Sequence, residues 1–153
     1  MVDEFVNQIT SLKGTLYVAG NGGSASIANH MACDFMNVGI PTVSLSANSP
    51  LLTMIANDYG YEDVFEYQLL RLYRPNDMVL LVSSSGNSKN IVKAAYLALE
   101  REITLLSFTG FDGGKLKELS DINYHVESND YGHVETEHTR FFHHVTNTIK
   151  GKS

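Results

Sequence analysis

Residues 78–82, Met-Val-Leu-Leu-Val, form an unbroken apolar run with an aspartate before it and serines after it. Such a run is typical of a β-strand buried on both faces, because a strand with one wet face alternates apolar and polar residues. Further short strands are predicted over residues 15–19, 42–45, 103–107 and 122–126. Strands buried on both faces need helices above and below them, so the pattern predicts an α/β fold with a five-stranded parallel sheet.

Segments with helical periodicity separate the predicted strands. A short N-terminal helix is expected within residues 1–13, with Phe5, Ile9 and Leu12 on one side. The alternation predicts a three-layer, doubly wound domain that takes up residues 1–153 as one unit. In such sheets ligands bind outside the carboxyl ends of the strands, so the loops after the strands are the candidate site. The other predicted helices cover residues 24–35, 49–57, 62–73, 89–100 and 133–149.

Charge and composition exclude several functional classes. The net charge is −6 and no cluster of Lys and Arg stands out, which makes nucleic-acid binding unfavourable. No segment approaches the roughly 18 apolar residues of a membrane span, and the first residues lack the pattern of a secretory signal. The single cysteine, Cys33, excludes an internal disulfide framework. We therefore expect a cytoplasmic protein that acts away from membranes.

Two loops at the expected carboxyl edge of the sheet carry groups that bind phosphate. Residues 20–24, Gly-Asn-Gly-Gly-Ser, follow the first strand, and residues 83–88, Ser-Ser-Ser-Gly-Asn-Ser, follow the third. Glycines let the backbone approach an anion, and N–H groups at a helix start donate to its oxygens, as hydroxyls do. A turn that only caps a helix needs one hydroxyl, whereas the second loop offers four. The two loops therefore predict a phosphate site.

The loops do not match the common nucleotide-binding motifs. Gly20, Gly22 and Ala25 fit a loose dinucleotide fingerprint, but residues 42–46 carry no acid to bind a ribose. Residues 83–88 lack the lysine of a P-loop, so a nucleoside triphosphate is not indicated. A small phosphomonoester is the better ligand.

These loops also carry a family resemblance. Together with residues 109–114, Thr-Gly-Phe-Asp-Gly-Gly, they resemble the sugar isomerase (SIS) domain family. Residues 56–60, Ala-Asn-Asp-Tyr-Gly, narrow the resemblance to its phosphoheptose isomerase branch. The resemblance implies a single SIS domain that isomerises sedoheptulose 7-phosphate to a manno-heptose 7-phosphate for surface polysaccharide synthesis. It also implies that the residues touching substrate or phosphate are Asn21, Gly22, Gly23, Ser24, Asn57, Asp58, Ser83, Ser84, Ser85, Ser88 and Glu135.

Aldose–ketose isomerisation needs a base for the proton beside the carbonyl, and an acid or metal for the developing oxyanion. His30 and Asp34 are four residues apart on a predicted helix and share one face. On the last helix Glu135 and His138 share a face, and His143 lies further along. Two helices that each bring a carboxylate and an imidazole could form a zinc site. Pairs with this spacing are also common as simple surface interactions.

The resemblance assigns roles to these candidates. In the family, a glutamate stands at the position of Asp34 and a glutamine at that of Glu135. The shorter carboxylate shifts the base by about an ångström, which can cost about a hundredfold in rate. Glu137 and His138 stay open as alternatives to Glu135 and His143. The implied catalytic residues are Asp34 as base and His143 as acid, and the implied zinc ligands are His30, Asp34, Glu135 and His143.

The resemblance also implies assembly, with sites between the subunits of a homo-oligomer, most simply a homotetramer. Two other functions stay open on the sequence alone. One is a non-catalytic sensor or adaptor that binds a sugar phosphate. The other is an isomerase that acts on a different phosphosugar.

Overall fold

The computed structural model describes residues 1–152. The five strands are β1, Leu16–Gly20; β2, Thr42–Ser44; β3, Met78–Ser83; β4, Thr104–Thr109; and β5, Ile122–His125. They form one parallel sheet in the order β2-β1-β3-β4-β5. The predicted α/β fold with five parallel strands is therefore confirmed.

Helices cover both faces of the sheet. They are α1, Val2–Thr10; α2, Gly23–Asn37; α3, Ser49–Asp58; α4, Glu66–Leu72; α5, Lys89–Glu100; α6, Gly114–Leu119; and α7, Tyr131–Gly151. A short 3₁₀ helix, Tyr61–Asp63, lies between α3 and α4. In residues 1–152 we find no helix with both the length and the apolar character needed to span a membrane.

Side chains of each strand alternate between two apolar clusters, one on each face of the sheet. In β1, Leu16 and Val18 pack with the cluster that holds α1, α2 and α7. Tyr17 and Ala19 pack with the cluster on the other face, which includes residues of α3, α4, α5 and α6. All four side chains are buried. The unbroken apolar runs in the sequence therefore follow from burial on both faces.

The winding of the chain brings the two predicted loops together. From β1 the chain moves outward to β2 and then crosses back to β3, which pairs with β1 on its other side. Gly20, the last residue of β1, pairs with Val82 near the end of β3. Residues 20–24 and 83–88 therefore leave the same sheet edge side by side, at the point where the winding direction reverses.

Two helical features differ from the sequence prediction. The helix predicted over residues 62–73 is divided into the 3₁₀ turn and α4, and the two residues between the pieces, Val64 and Phe65, are buried. The sequence pattern also gave no signal for α6, which has only six residues and begins at two glycines with positive φ, Gly113 before the helix and Gly114 as its first residue. Neither difference moves the carboxyl edge of the sheet.

Candidate active site

Helices α2 and α7 bring two imidazoles and a carboxylate together. Asp34 Oδ2 lies 3.2 Å from His143 Nδ1 and 3.5 Å from His30 Nε2. The two imidazole rings meet edge to face with centroids 4.8 Å apart, and His30 also contacts the ring of Phe142. The predicted pair on α2 is therefore joined by the histidine predicted on α7, and we call His30, Asp34 and His143 the His-Asp-His cluster.

The cluster has the chemistry of a zinc site with an open position. One ligand atom from each of the three residues lies within 4.8 Å of the other two. The side chains of His30, Asp34 and His143 are 50%, 28% and 40% exposed, so solvent and a substrate can reach them. Two imidazoles and one carboxylate are donors that zinc accepts, and catalytic zinc sites use three protein ligands and leave the fourth position to water or substrate.

Glu135 lies outside this cluster. A Cβ built on Gly23 would lie 2.5 Å from both carboxylate oxygens of Glu135, so that carboxylate rests against the first residue of α2. The assignment of Glu135 as a fourth zinc ligand stays a prediction. In this subunit its carboxylate lies against Gly23, whereas the cluster consists of His30, Asp34 and His143. Glu137, the alternative to Glu135, forms an ion pair with Arg140 at 2.9 Å.

His138 is a core residue. It is fully buried, and its Nε2 donates a hydrogen bond to the carbonyl oxygen of Thr109 at 2.9 Å. Its Nδ1 is buried and without a hydrogen-bond partner among the described residues. Burial lowers the pKa of His138 to about 4, which keeps the ring neutral. His138 therefore does not reach the cluster, and the structure gives no support to it as a replacement for His143.

The buried His138 predicts a pH-dependent stability. Because its pKa is about 4 in the folded state and 6.5 ordinarily, the unfolded chain binds the extra proton between these values. Its contribution to stability is present above pH 6.5 and is lost as the pH falls to about 4. The loss is on the order of 3 kcal/mol.

Chemical unfolding of the wild type and of His138→Gln, followed across this pH range, measures the effect. The amide of His138→Gln can still donate to the Thr109 carbonyl but does not titrate. We expect the free energy of unfolding to fall less steeply with acidification in the variant than in the wild type. Equal slopes would contradict the assignment of this pH dependence to His138.

The serine loop, residues 83–88, lines a small pocket of about 120 Å³, which we call the serine pocket. Ser83 Oγ accepts a hydrogen bond from the backbone N–H of Gly86, and Ser85 Oγ accepts one from Asn87. The hydroxyl of Ser84 is buried and has no partner among the described residues. The Ser84 hydroxyl at the wall of this pocket is therefore available to a bound ligand. The pocket is lined by Asn21, Ser24, Val82, Ser83, Ser84, Ser85, Ser88, Tyr131 and Glu135.

Residues 109–114 support the serine loop from behind. The backbone N–H of Gly110 donates to the Ser84 carbonyl at 2.8 Å. Gly86 has a φ of 68°, and a Cβ at this position would collide with the Gly113 carbonyl oxygen. Residues 109–114 therefore pack against the serine loop and fix its backbone conformation.

Asn21 is held by two residues that sequence reasoning missed. Its Oδ1 accepts hydrogen bonds from the Tyr61 hydroxyl at 2.6 Å and from Asn90 Nδ2 at 2.9 Å. Its Nδ2 donates to Asn90 Oδ1 at 2.8 Å, which leaves one N–H free. Asn21 lines both the serine pocket and an adjoining recess of about 520 Å³. Its amide is therefore fixed as a donor at the entrance to the pocket.

The remaining predicted binding residues lie around this edge. Asn57 and Asp58 stand exposed at the end of α3, where the Asn57 amide donates to the Asp58 carboxylate at 2.9 Å. Neither belongs to the lining of the serine pocket. Gly22 is exposed with a φ of 54°, so it provides a turn that most other residues would adopt only with strain.

Comparisons with known proteins identify the family of the chain. Residues 3–110 match the SIS domain family. The phosphoheptose isomerase of Helicobacter pylori (strain ATCC 700392 / 26695) is 40% identical over 144 residues, which cover 90% of this chain and 75% of that protein. The chain belongs to the phosphoheptose isomerase branch of the SIS family. The expected family resemblance is thus confirmed.

Solved structures of this family share the fold. The phosphoheptose isomerase from Neisseria gonorrhoeae superposes with a TM-score of 0.90 at 30% identity, covering 98% of this chain and 83% of that one. A phosphoheptose isomerase from Francisella tularensis gives a TM-score of 0.92 at 27% identity, covering 98% and 84%. Helix α7 lies beyond the residues matched to the SIS family, 3–110, so the placement of Glu135 and His143 rests on the geometry described above.

Proposed function

We propose that this chain is an aldose–ketose isomerase that interconverts sedoheptulose 7-phosphate and a manno-heptose 7-phosphate. One observation carries the proposal: helices α2 and α7, which hold the His-Asp-His cluster, also contribute residues to the wall of the serine pocket. Membership in the phosphoheptose isomerase branch supports the same reaction. A product of this kind would supply heptose for surface polysaccharides.

The spacing along both helices suits a substrate with phosphate and carbonyl at opposite ends. On α2, Ser24 of the pocket and His30 of the cluster are six residues apart, a rise of about 9 Å. On α7, Glu135 and His143 are eight residues apart, a rise of about 12 Å. A sugar phosphate held at the pocket would have to span an axial distance of about 9 to 12 Å to reach the cluster.

We propose that hydroxyls and backbone N–H groups bind the phosphate. Ser84 offers a hydroxyl without another partner, and the neighbouring serines add acceptors and donors around it. Asn21 presents its free N–H to an oxygen of the sugar. We also propose that the substrate contacts Gly22, Gly23, Asn57 and Asp58. The proposed phosphate ligands are Ser24, Ser83, Ser84, Ser85 and Ser88.

Asp34 and His143 divide the proton transfers in this proposal. Asp34 Oδ2 removes the proton from the carbon beside the carbonyl, and it later returns that proton to the neighbouring carbon. His143 donates a proton to the carbonyl oxygen as the enediol forms, and it takes up the proton of the neighbouring hydroxyl as the new carbonyl forms. The 3.2 Å contact between Asp34 and His143 fixes the orientation of the ring toward the substrate.

We further propose that His30, Asp34 and His143 hold a zinc ion, since their donor set suits this metal. Zinc bound there supplies a Lewis acid that stabilises negative charge on the substrate oxygen. His30 would hold the ion through a ring nitrogen, and its ring also contacts that of His143.

The test is direct incubation of purified protein with sedoheptulose 7-phosphate, followed by NMR. The proposal predicts signals of an aldose product that approach equilibrium with the ketose. Tight binding of the sugar phosphate without turnover, in zinc-loaded protein, would contradict the isomerase and favour a sensor. Turnover of a hexose or pentose phosphate alone would identify another phosphosugar as the substrate.

Tyr61→Phe should weaken substrate binding by freeing the Asn21 amide. The lost hydrogen bond to Asn21 Oδ1 is worth about 1 kcal/mol, so we expect KM to rise about threefold to tenfold while kcat changes less. Tyr59→Phe is the matched control, because Tyr59 lies in the same segment but packs against Tyr67. An unchanged KM in Tyr61→Phe, measured in the isomerase assay, would contradict this role.

We also propose that the chain assembles as a homotetramer, with sites completed between subunits. Several large apolar side chains stand exposed on the isolated subunit, including Met36, Tyr59, Leu70 and Leu99. Two of them, Tyr59 and Leu70, line one recess, and contiguous exposed apolar surface is a common mark of an interface. Sedimentation velocity of the purified protein gives the number of subunits, and a monomer would contradict the proposed assembly.

A further inference from the structure

The carboxylate of Glu135 lies at the amino end of α2. Helix α2 begins at Gly23, and a side chain at Gly23 would collide with both carboxylate oxygens of Glu135. The residue before the helix, Gly22, provides no side-chain cap. The amino end of a helix carries exposed N–H groups and a positive partial charge, and it attracts anions. The Glu135 carboxylate therefore lies at the amino end of α2, where an anionic ligand would otherwise bind.

The same carboxylate forms part of the wall of the serine pocket. Among the residues that line this pocket, the titratable ones are Glu135 and Tyr131, both on α7, and none is a lysine, arginine or histidine. The other lining residues contribute neutral groups only, from Asn21, Ser24, residues 82–85 and Ser88. The charge built into the pocket is therefore negative, whereas a phosphomonoester is itself an anion.

We infer that Glu135 is an affinity-limiting residue, whose carboxylate repels the phosphate in the serine pocket. The inference rests on the proposed function, because it takes this pocket as the phosphate site. Two physical effects act in the same direction. Like charges a few ångströms apart repel strongly where solvent is partly excluded, and the amino end of α2 is less available to the phosphate.

Replacing this carboxylate by an amide of the same shape should remove the repulsion. Glu135→Gln keeps the size of the side chain, so the close fit against Gly23 is preserved. Removing one charge this close to a dianion should tighten phosphate binding by about tenfold or more. In the wild type, the lower phosphate affinity caused by Glu135 would weaken inhibition by free phosphate and speed the release of a phosphorylated product.

The experiment is calorimetric titration of inorganic phosphate into the wild type, Glu135→Gln and Glu137→Gln. The full-length proteins are treated with a chelator and compared at about pH 8, where phosphate is mainly a dianion. Glu137→Gln is the matched control, since it removes the same charge from the same helix at a position paired with Arg140. We expect Glu135→Gln to bind phosphate about tenfold or more tightly than the other two.

Each other outcome identifies what fails. Equal phosphate affinity in all three proteins would overturn the inference and leave the phosphate site standing. Equal tightening in both variants would also overturn it, because the effect would then come from net charge and not from the pocket. Binding of phosphate to none of the three would contradict the phosphate site itself, and the inference would fall with it.

Discussion

Asp34→Asn is expected to lower kcat for sedoheptulose 7-phosphate by about a thousandfold. The amide keeps the size of the side chain but cannot accept the proton from the carbon beside the carbonyl, and general bases contribute factors of about a hundred to ten thousand. Asp34 also lies between His30 and His143, so its loss removes the group that orients both rings. The measurement is initial rate of ketose-to-aldose conversion at saturating substrate.

Two controls separate this loss from a general effect. Asp3→Asn makes the same chemical change at an exposed position in the first turn of α1, and its rate should equal that of the wild type. Binding of inorganic phosphate to Asp34→Asn should be retained, because Asp34 is not among the residues that line the serine pocket. A variant that keeps more than about a tenth of the wild-type kcat would rule out Asp34 as the base.

His30→Ala is expected to remove zinc from the protein. The wild type should hold about one zinc ion per chain after dialysis, because three side chains and a water complete a tetrahedral site. Losing one of the three ligands should lower zinc affinity by more than about a hundredfold, since even the groups that orient ligands contribute tenfold to a hundredfold. Elemental analysis of dialysed protein gives the zinc content directly.

The matched control is His144→Ala. His144 follows His143 on α7 but is exposed and lies outside the His-Asp-His cluster. It should keep its zinc, and its kcat should stay close to that of the wild type. Zinc retained in His30→Ala and lost in His144→Ala would place the metal elsewhere. A wild type that holds no zinc after reconstitution would contradict the proposed cofactor.

The layers of the fold could be predicted because burial on both faces leaves a direct mark on sequence. Residues 78–82 are apolar throughout since alternate side chains pack into different clusters, and the other strands carry weaker versions of the same mark. The six residues of α6 are too few to show a helical period. The division of residues 62–73 at the buried Val64 and Phe65 left no mark in the local spacing of apolar residues.

Only the parts of the site that depend on the spacing of residues within one helix or loop could be predicted. His30 and Asp34 share a face because they are four residues apart, but their contact with His143 depends on α2 and α7 packing on the same face of the sheet. The burial of His138, in contrast, could be predicted from the sequence. This residue continues a helical stripe through Val134, Phe142 and Val145, all of which are buried, so its place in the core was readable.

The neighbours of Asn21 and Glu135 left no such signal. Asn90 meets Asn21 because the loops after β1 and β3 leave the sheet together, whereas Tyr61 reaches Asn21 from the 3₁₀ helix between α3 and α4. The contact between Glu135 and Gly23 joins the amino-terminal ends of two helices that are far apart in the chain. Contacts of this kind are set by tertiary packing, and a single sequence does not reveal them.

A crystal of this protein soaked with sedoheptulose 7-phosphate tests the central claim most directly. We predict the phosphorus atom in the pocket lined by Ser83, Ser84, Ser85 and Ser88, with the Ser84 hydroxyl donating to a phosphate oxygen. The carbonyl end of the sugar should lie at hydrogen-bonding distance from Asp34 and His143. A sugar phosphate bound at another surface, with the serine pocket empty or filled by protein side chains, would contradict the account.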